Sequence, residues 1–267
     1  MKRALSLCLV LVLLLTLFGC GKKAPEAQKP EEEAKLRRVT SVSIERKGMD
    51  PQAYTVAWSD YDCAFTAADP EVDTCVMEAT FHTQTKTLAL RREGRDLEPQ
   101  YIFDDVGRVV RVAYSAPAQN GTSISYDEQG WPQTEGQWLN LEINKEKMQY
   151  SYCHSVGQIS LSNGKTLASL ENYRTVTLNK AGQNTKVDGR EVAVYKEDGR
   201  KEETTQESVA TYTYDAGGNL LRYESGGIIM EFTYGKEEIH HTWERMIPLI
   251  CCGSILAQVE PLFWNLK

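Results

Sequence analysis

The sequence predicts an all-β fold, an antiparallel meander of hairpins forming a twisted or curled sheet, with a short helical C-terminal cap. Three observations carry this. From Val39 onward, runs such as Thr40-Ser41-Val42-Ser43-Ile44-Glu45 and Tyr54-Thr55-Val56-Ala57-Trp58 alternate apolar and polar residues, the period of a half-buried strand. Turn dipeptides recur at close intervals: Asp69-Pro70, Asn120-Gly121, Asn163-Gly164, Asp188-Gly189, Asp198-Gly199 and Gly226-Gly227. Between residues 39 and 235 no apolar stripe follows the helical period, so βαβ units and the nucleotide folds built from them are not expected.

Composition bounds the function. The chain has 267 residues, 41% hydrophobic and 25% charged, enough apolar material for a core. With 30 Lys+Arg against 37 Asp+Glu it carries a net charge of −7, which argues against a nucleic-acid partner.

The first strand is preceded by a segment of another kind. Lys2 and Arg3 lead into an apolar run from Leu5 to Phe18. That run is about 14 residues, short of the roughly 20 that a permanent membrane span needs, so residues 1–19 read as a signal peptide. Leu17-Phe18-Gly19-Cys20 resembles the lipobox of bacterial lipoproteins, with Phe18 bulkier than is usual there. The resemblance implies diacylglycerol attachment at Cys20, cleavage before it, and an extracytoplasmic protein held to the cell membrane by lipid. Residues 20–38, rich in Lys, Glu and Pro, are expected to form a flexible tether. The body that follows, residues 39–267, is more acidic than the whole chain. Anionic lipid should repel it.

Several hairpins share a signature. Tyr101-Ile102-Phe103-Asp104-Asp105-Val106-Gly107-Arg108-Val109-Val110 aligns with Tyr212-Thr213-Tyr214-Asp215-Ala216-Gly217-Gly218-Asn219-Leu220-Leu221. Weaker copies start at Ile124, with Asp127 and Gly130, at Leu178, with Asn179 and Gly182, and at Tyr195, with Asp198 and Gly199. The Asp or Asn oxygen is expected to accept from N–H groups further along the turn, Gly to take the left-handed position, and the aromatics two apart to share a face. The pattern resembles the YD repeats of Rhs-type bacterial surface proteins, and more closely small lipoproteins made of a few such hairpins. It implies the hairpin architecture only, since about five degenerate units leave no room for the cargo that long arrays enclose.

Residues 238–267 are denser in apolar side chains and are expected to cap the sheet, with a short helix or two from about Pro248 to Val259. Among the seven cysteines, Cys63 and Cys75 lie equally far either side of Asp69, so a hairpin centred there sets them face to face, as a disulfide in an oxidising envelope or as a pair of free thiols. Adjacent Cys251 and Cys252 are expected as buried thiols. The four His lack metal-ligand spacing, and no nucleophile elbow or phosphate loop occurs, so no catalytic residue, metal site or cofactor is expected. Asp104, Asp127 and Asp215 would suit glycan hydrolysis if paired, but their recurrence at one turn position favours a structural role. The expected function is therefore a non-catalytic binding or scaffolding module of the cell envelope, with an envelope protein or polymer as partner. The alternative is an enzyme acting on cell-wall or extracellular polymer.

Overall fold

Alternation in the sequence becomes one very wide sheet, because each hairpin hands its strand edge to the next. The computed structural model describes residues 35–69, 71, 77–113, 121–133, 138–156, 159–160, 166–197 and 200–248, all within one compact unit, Lys35–Lys267. The expected signal peptide, Cys20, most of the tether, Cys75, Asn163-Gly164 and the expected helix beyond Pro248 lie outside the described residues.

From the middle of the sheet the chain runs outward through β1 (Arg37–Arg46), β2 (Gln52–Trp58), β3 (Asp62–Ala67), β4 (Met77–His82), β5 (Thr87–Arg92), β6 (Arg95–Phe103), β7 (Val109–Ala113) and β8 (Gly121–Ser123). β9 (Ser125–Tyr126) and β10 (Pro132–Gln133) form a separate two-stranded hairpin. The chain then returns from the far edge through β11 (Trp138–Asn144), β12 (Gln149–Val156), β13 (Ile159–Ser160), which pairs only with β14, then β14 (Thr166–Leu178), β15 (Asn184–Glu197), β16 (Arg200–Tyr214), β17 (Leu220–Ser225) and β18 (Ile228–Glu238). β18 pairs with β1, joining the two halves into one antiparallel sheet, of 16 strands among the described residues. The first strand starts two residues inside the expected tether.

Among the described residues no pairing joins β8 to β11 and closes the ladder, but the sheet curls. One core takes Ile44 from β1, Leu88 from β5, Tyr101 from β6, Tyr150 from β12 and Met230 from β18. The β9–β10 hairpin bridges the two edges: Tyr126 Oη donates to the Val109 carbonyl at 2.7 Å, and Lys145, just after β11, reaches Asp127 at 3.2 Å. The Arg108 guanidinium stacks over the Tyr126 ring at 4.5 Å.

Three local expectations differ from the structure. Asp188-Gly189 is not a turn but the middle of β15, where Gly189 pairs with Arg174 and Ser208. A Cβ there would collide with the Arg174 guanidinium at 2.6 Å, so the glycine admits a neighbour's side chain rather than a reversal. Cys63 stands opposite Ala79, because the connection from β3 to β4 is longer than a turn centred on Asp69. Cys63 is a free, buried thiol, which corrects the expected Cys63–Cys75 disulfide. Finally, within the expected capping segment 238–267 the first helical turn comes ahead of Pro248, as a 3₁₀ turn at Thr242–Met246.

Candidate functional site

The predicted turn residues Asp104, Asp127 and Asp215 and their glycines gather on one rim of the sheet, because antiparallel alternation places every second turn at the same end. Four turns there share one construction. In each, the first residue's N–H donates to the carbonyl four residues on and its carbonyl accepts from the glycine three residues on, as Asp104 does with Arg108 and Gly107 at 2.9 and 3.1 Å. Asp127 with Trp131 and Gly130, Asn179 with Gln183 and Gly182, and Asp215 with Asn219 and Gly218 repeat the pattern. The glycines have φ of +81° at Gly107, +84° at Gly130, +78° at Gly182 and +85° at Gly218, the left-handed region that glycine adopts without strain.

The side chains complete the turn. Asp104 Oδ1 accepts from the N–H groups of Val106 and Arg108 at 3.1 and 2.8 Å, and Asp127 Oδ1 from those of Gln129 and Trp131 at 2.9 and 2.8 Å. Asn179 does the same with its amide oxygen toward Ala181 and Gln183. The remaining oxygen of each carboxylate also has a partner: Arg108 on Asp104 at 2.7 Å, Asn219 on Asp215 at 2.9 Å and Lys145 on Asp127 at 3.2 Å. In the fifth expected copy Asp198 and Gly199 lie outside the described residues. The strands on either side of it pair from Glu197 with Arg200 onward.

The turns also touch what surrounds them. Gln183 donates to the Gly218 carbonyl at 2.8 Å, and Asn219 accepts from the Arg37 N–H at 2.8 Å while its amide donates to the Lys35 carbonyl, so the entering chain is held at this rim. Thr242 of the 3₁₀ turn fills the space that a Gly107 side chain would need.

The chemically richest cluster on the rim was not anticipated. Arg38, in β1, donates through Nε and a terminal nitrogen to both oxygens of Glu244 at 2.7 and 3.1 Å, and to Glu237 at 2.9 Å. The Arg38 side chain is 6% exposed and that of Glu244 0%. Glu244 Oε1 also accepts from the N–H groups of His240 and His241, capping the 3₁₀ turn. The bond to Glu244 raises the Arg38 pKa against the cost of burial. Arg38 lies over the Trp58 ring at 5.1 Å, and Trp243 stacks on Phe81 at 5.1 Å. Cys63 completes the surroundings, its thiol pushed up by burial and by the Glu244 charge. A buried, protonated thiol is a poor nucleophile. From this cluster a row of rings, Trp243, His241 and Tyr61, leads outward to the exposed Tyr61. The available signal in the sequence was a lone acid, Glu244, inside an apolar segment.

Among the described residues no group of three His, Cys, Asp or Glu is placed to hold a metal, and no helix is long and apolar enough to cross a membrane. Comparison with protein-family models and with curated proteins finds no match.

Gly48, at φ +82°, has open space where a Cβ would stand, whereas Gly107 has Thr242 there. Gly48→Ala should cost about 1–2 kcal/mol of backbone strain alone. Gly107→Ala should cost about 3 kcal/mol or more, because the cap must also move. Urea unfolding of both variants checks this, and equal losses would refute the packing of the 3₁₀ turn on the repeat turn.

Burial works against the Asp127 carboxylate, but the bonds from Trp131, Lys145 and Gln129 outweigh it and hold its pKa below the usual carboxylate range. Its contribution is therefore present above the unfolded value of about 3.9 and lost as pH falls through the lower, folded value. Asp127→Asn keeps an amide acceptor, as Asn179 does naturally, yet loses the charge that meets Lys145. The variant should be slightly less stable at neutral pH and lose stability less steeply in acid. Melting temperatures from pH 7 to pH 2 test this, and an acid limb identical to that of the parent would contradict it.

Proposed function

We propose that this chain is a lipid-anchored lipoprotein of the bacterial cell envelope whose YD-like hairpin sheet acts as a non-catalytic binding or scaffolding module outside the cytoplasm. The observation that carries the non-catalytic reading is the occupation of its acids. Asp104, Asp127 and Asp215 each have both oxygens engaged in holding a turn, and Glu244 is committed to Arg38 and two backbone N–H groups. A general acid or base needs a proton site facing substrate, and these carboxylates face backbone N–H groups and side chains of the fold itself.

Lipid anchoring at Cys20 is supported by the basic start, the short apolar run and the Leu17-Phe18-Gly19-Cys20 sequence. Two acyl chains there are enough for stable attachment, since each buried methylene contributes about 0.8 kcal/mol. The partner is an envelope protein or polymer met by the sheet or its rims.

Metabolic labelling with a fatty-acid analogue is expected to mark the protein and to vanish with Cys20→Ser. Persistent label in that variant would refute the anchor, and hydrolysis of purified cell-wall polymer by the parent protein would refute the non-catalytic reading.

A further inference from the structure

We propose that the outer half of β16 is a self-association edge, pairing antiparallel with β16 of a second copy in a register centred on Thr204. The edge exists because the strands differ in length. β16 pairs with β15 along Arg200 to Thr211 without a break in register, but β17 covers it only from Ala210 onward. Arg200 through Val209 is exposed on both faces, and among the described residues no strand pairs with its far side.

The direction of the backbone groups follows from the hairpin closures. Glu197 and Arg200 close one hairpin, and Ser225 and Ile228 close the next. Counting from either closure by antiparallel alternation, the even residues from Arg200 to Ser208 bond to β15. Lys201, Glu203, Thr205 and Glu207 therefore turn their N–H and C=O groups outward.

A two-fold pairing must bring outward residues opposite outward residues, which restricts the possible registers. Moving the centre to Glu202 or Glu203 sets that Glu against its own copy, and moving it to Thr205 sets Glu203 against Glu207. Centred on Thr204, Lys201 faces Glu207, Glu203 faces Thr205 and Glu202 faces Gln206, with no like charges opposed. Charged side chains on an edge usually discourage pairing. Here they discourage the registers centred on Glu202, Glu203 and Thr205, and a centre on Gln206 opposes no like charges but gives up both Lys201–Glu207 pairs, while the strand carries no Pro and no bulge that would twist the edge away. In this register Arg200 of one copy reaches Ser208 of the other, so the pairing ends just before the pairing of β16 with β17 begins at Ala210. It adds about eight ladder hydrogen bonds.

Thr204 lies on the two-fold axis in a pair without mutual backbone bonds, where opposed Cα atoms come close enough for a disulfide. The full chain carrying Thr204→Cys, purified in detergent and mildly oxidised, should form a covalent dimer well above the background from its own cysteines, and Thr205→Cys should not. Lys201→Glu should weaken association of the otherwise native chain about tenfold in sedimentation equilibrium, since both symmetry-related pairs turn repulsive. Lys201→Glu with Glu207→Lys should restore it. Equal cross-linking of the two cysteine variants, a monomeric parent, or no rescue by the charge swap would each overturn the proposal.

Discussion

The buried Arg38–Glu244 pair is the interaction on which the rest of the rim depends. It joins the first strand to the segment after the last one, 206 residues apart in sequence. Moving two charges out of water is costly, and their attraction offsets that cost only when geometry is good and the remaining polar atoms are bonded. Both conditions hold, through the two-pronged contact, the Glu237 carboxylate on Arg38 and the two N–H groups on Glu244. With Glu244 fixed, Trp243 enters the core against Phe81, and Thr242 comes to rest on the Gly107 turn.

Around that fixed point the repeat turns solve a local problem in the same way each time. A reversal between antiparallel strands exposes backbone donors, and one Asp or Asn oxygen accepts two of them while glycine takes the left-handed step. The β6–β7, β14–β15 and β16–β17 ladders each shift register one pair beyond the turn. Such irregularities increase local twist. Their repetition on one rim accounts for a wide sheet that curls around a single core instead of lying flat.

The turns at Asp104, Asp127, Asn179 and Asp215, and the Gly226-Gly227 hairpin, were legible in the sequence because their chemistry is complete within five residues. Gly189 was misleading for the same reason: its neighbour Asp188 mimics a turn, while its actual role is set by Arg174 on another strand. Cys63 was placed opposite the wrong residue because register depends on how many residues the loop after Ala67 takes up, which composition does not specify. Pairing of β1 with β18, and the meeting of Arg38 with Glu244, depend on the closure of the whole sheet and leave only a faint local trace, an arginine at a strand start and an acid among apolar residues.

The most direct test of this account is a double-mutant cycle on Arg38→Met and Glu244→Met, followed by urea unfolding. Leaving one charge buried without its partner should cost about 3–5 kcal/mol in each single variant. The double variant should lose no more than the worse single one, giving a coupling of about 2 kcal/mol or more. Losses that simply add, or single losses below about 1 kcal/mol, would contradict the claim that this pair fastens the cap to the sheet.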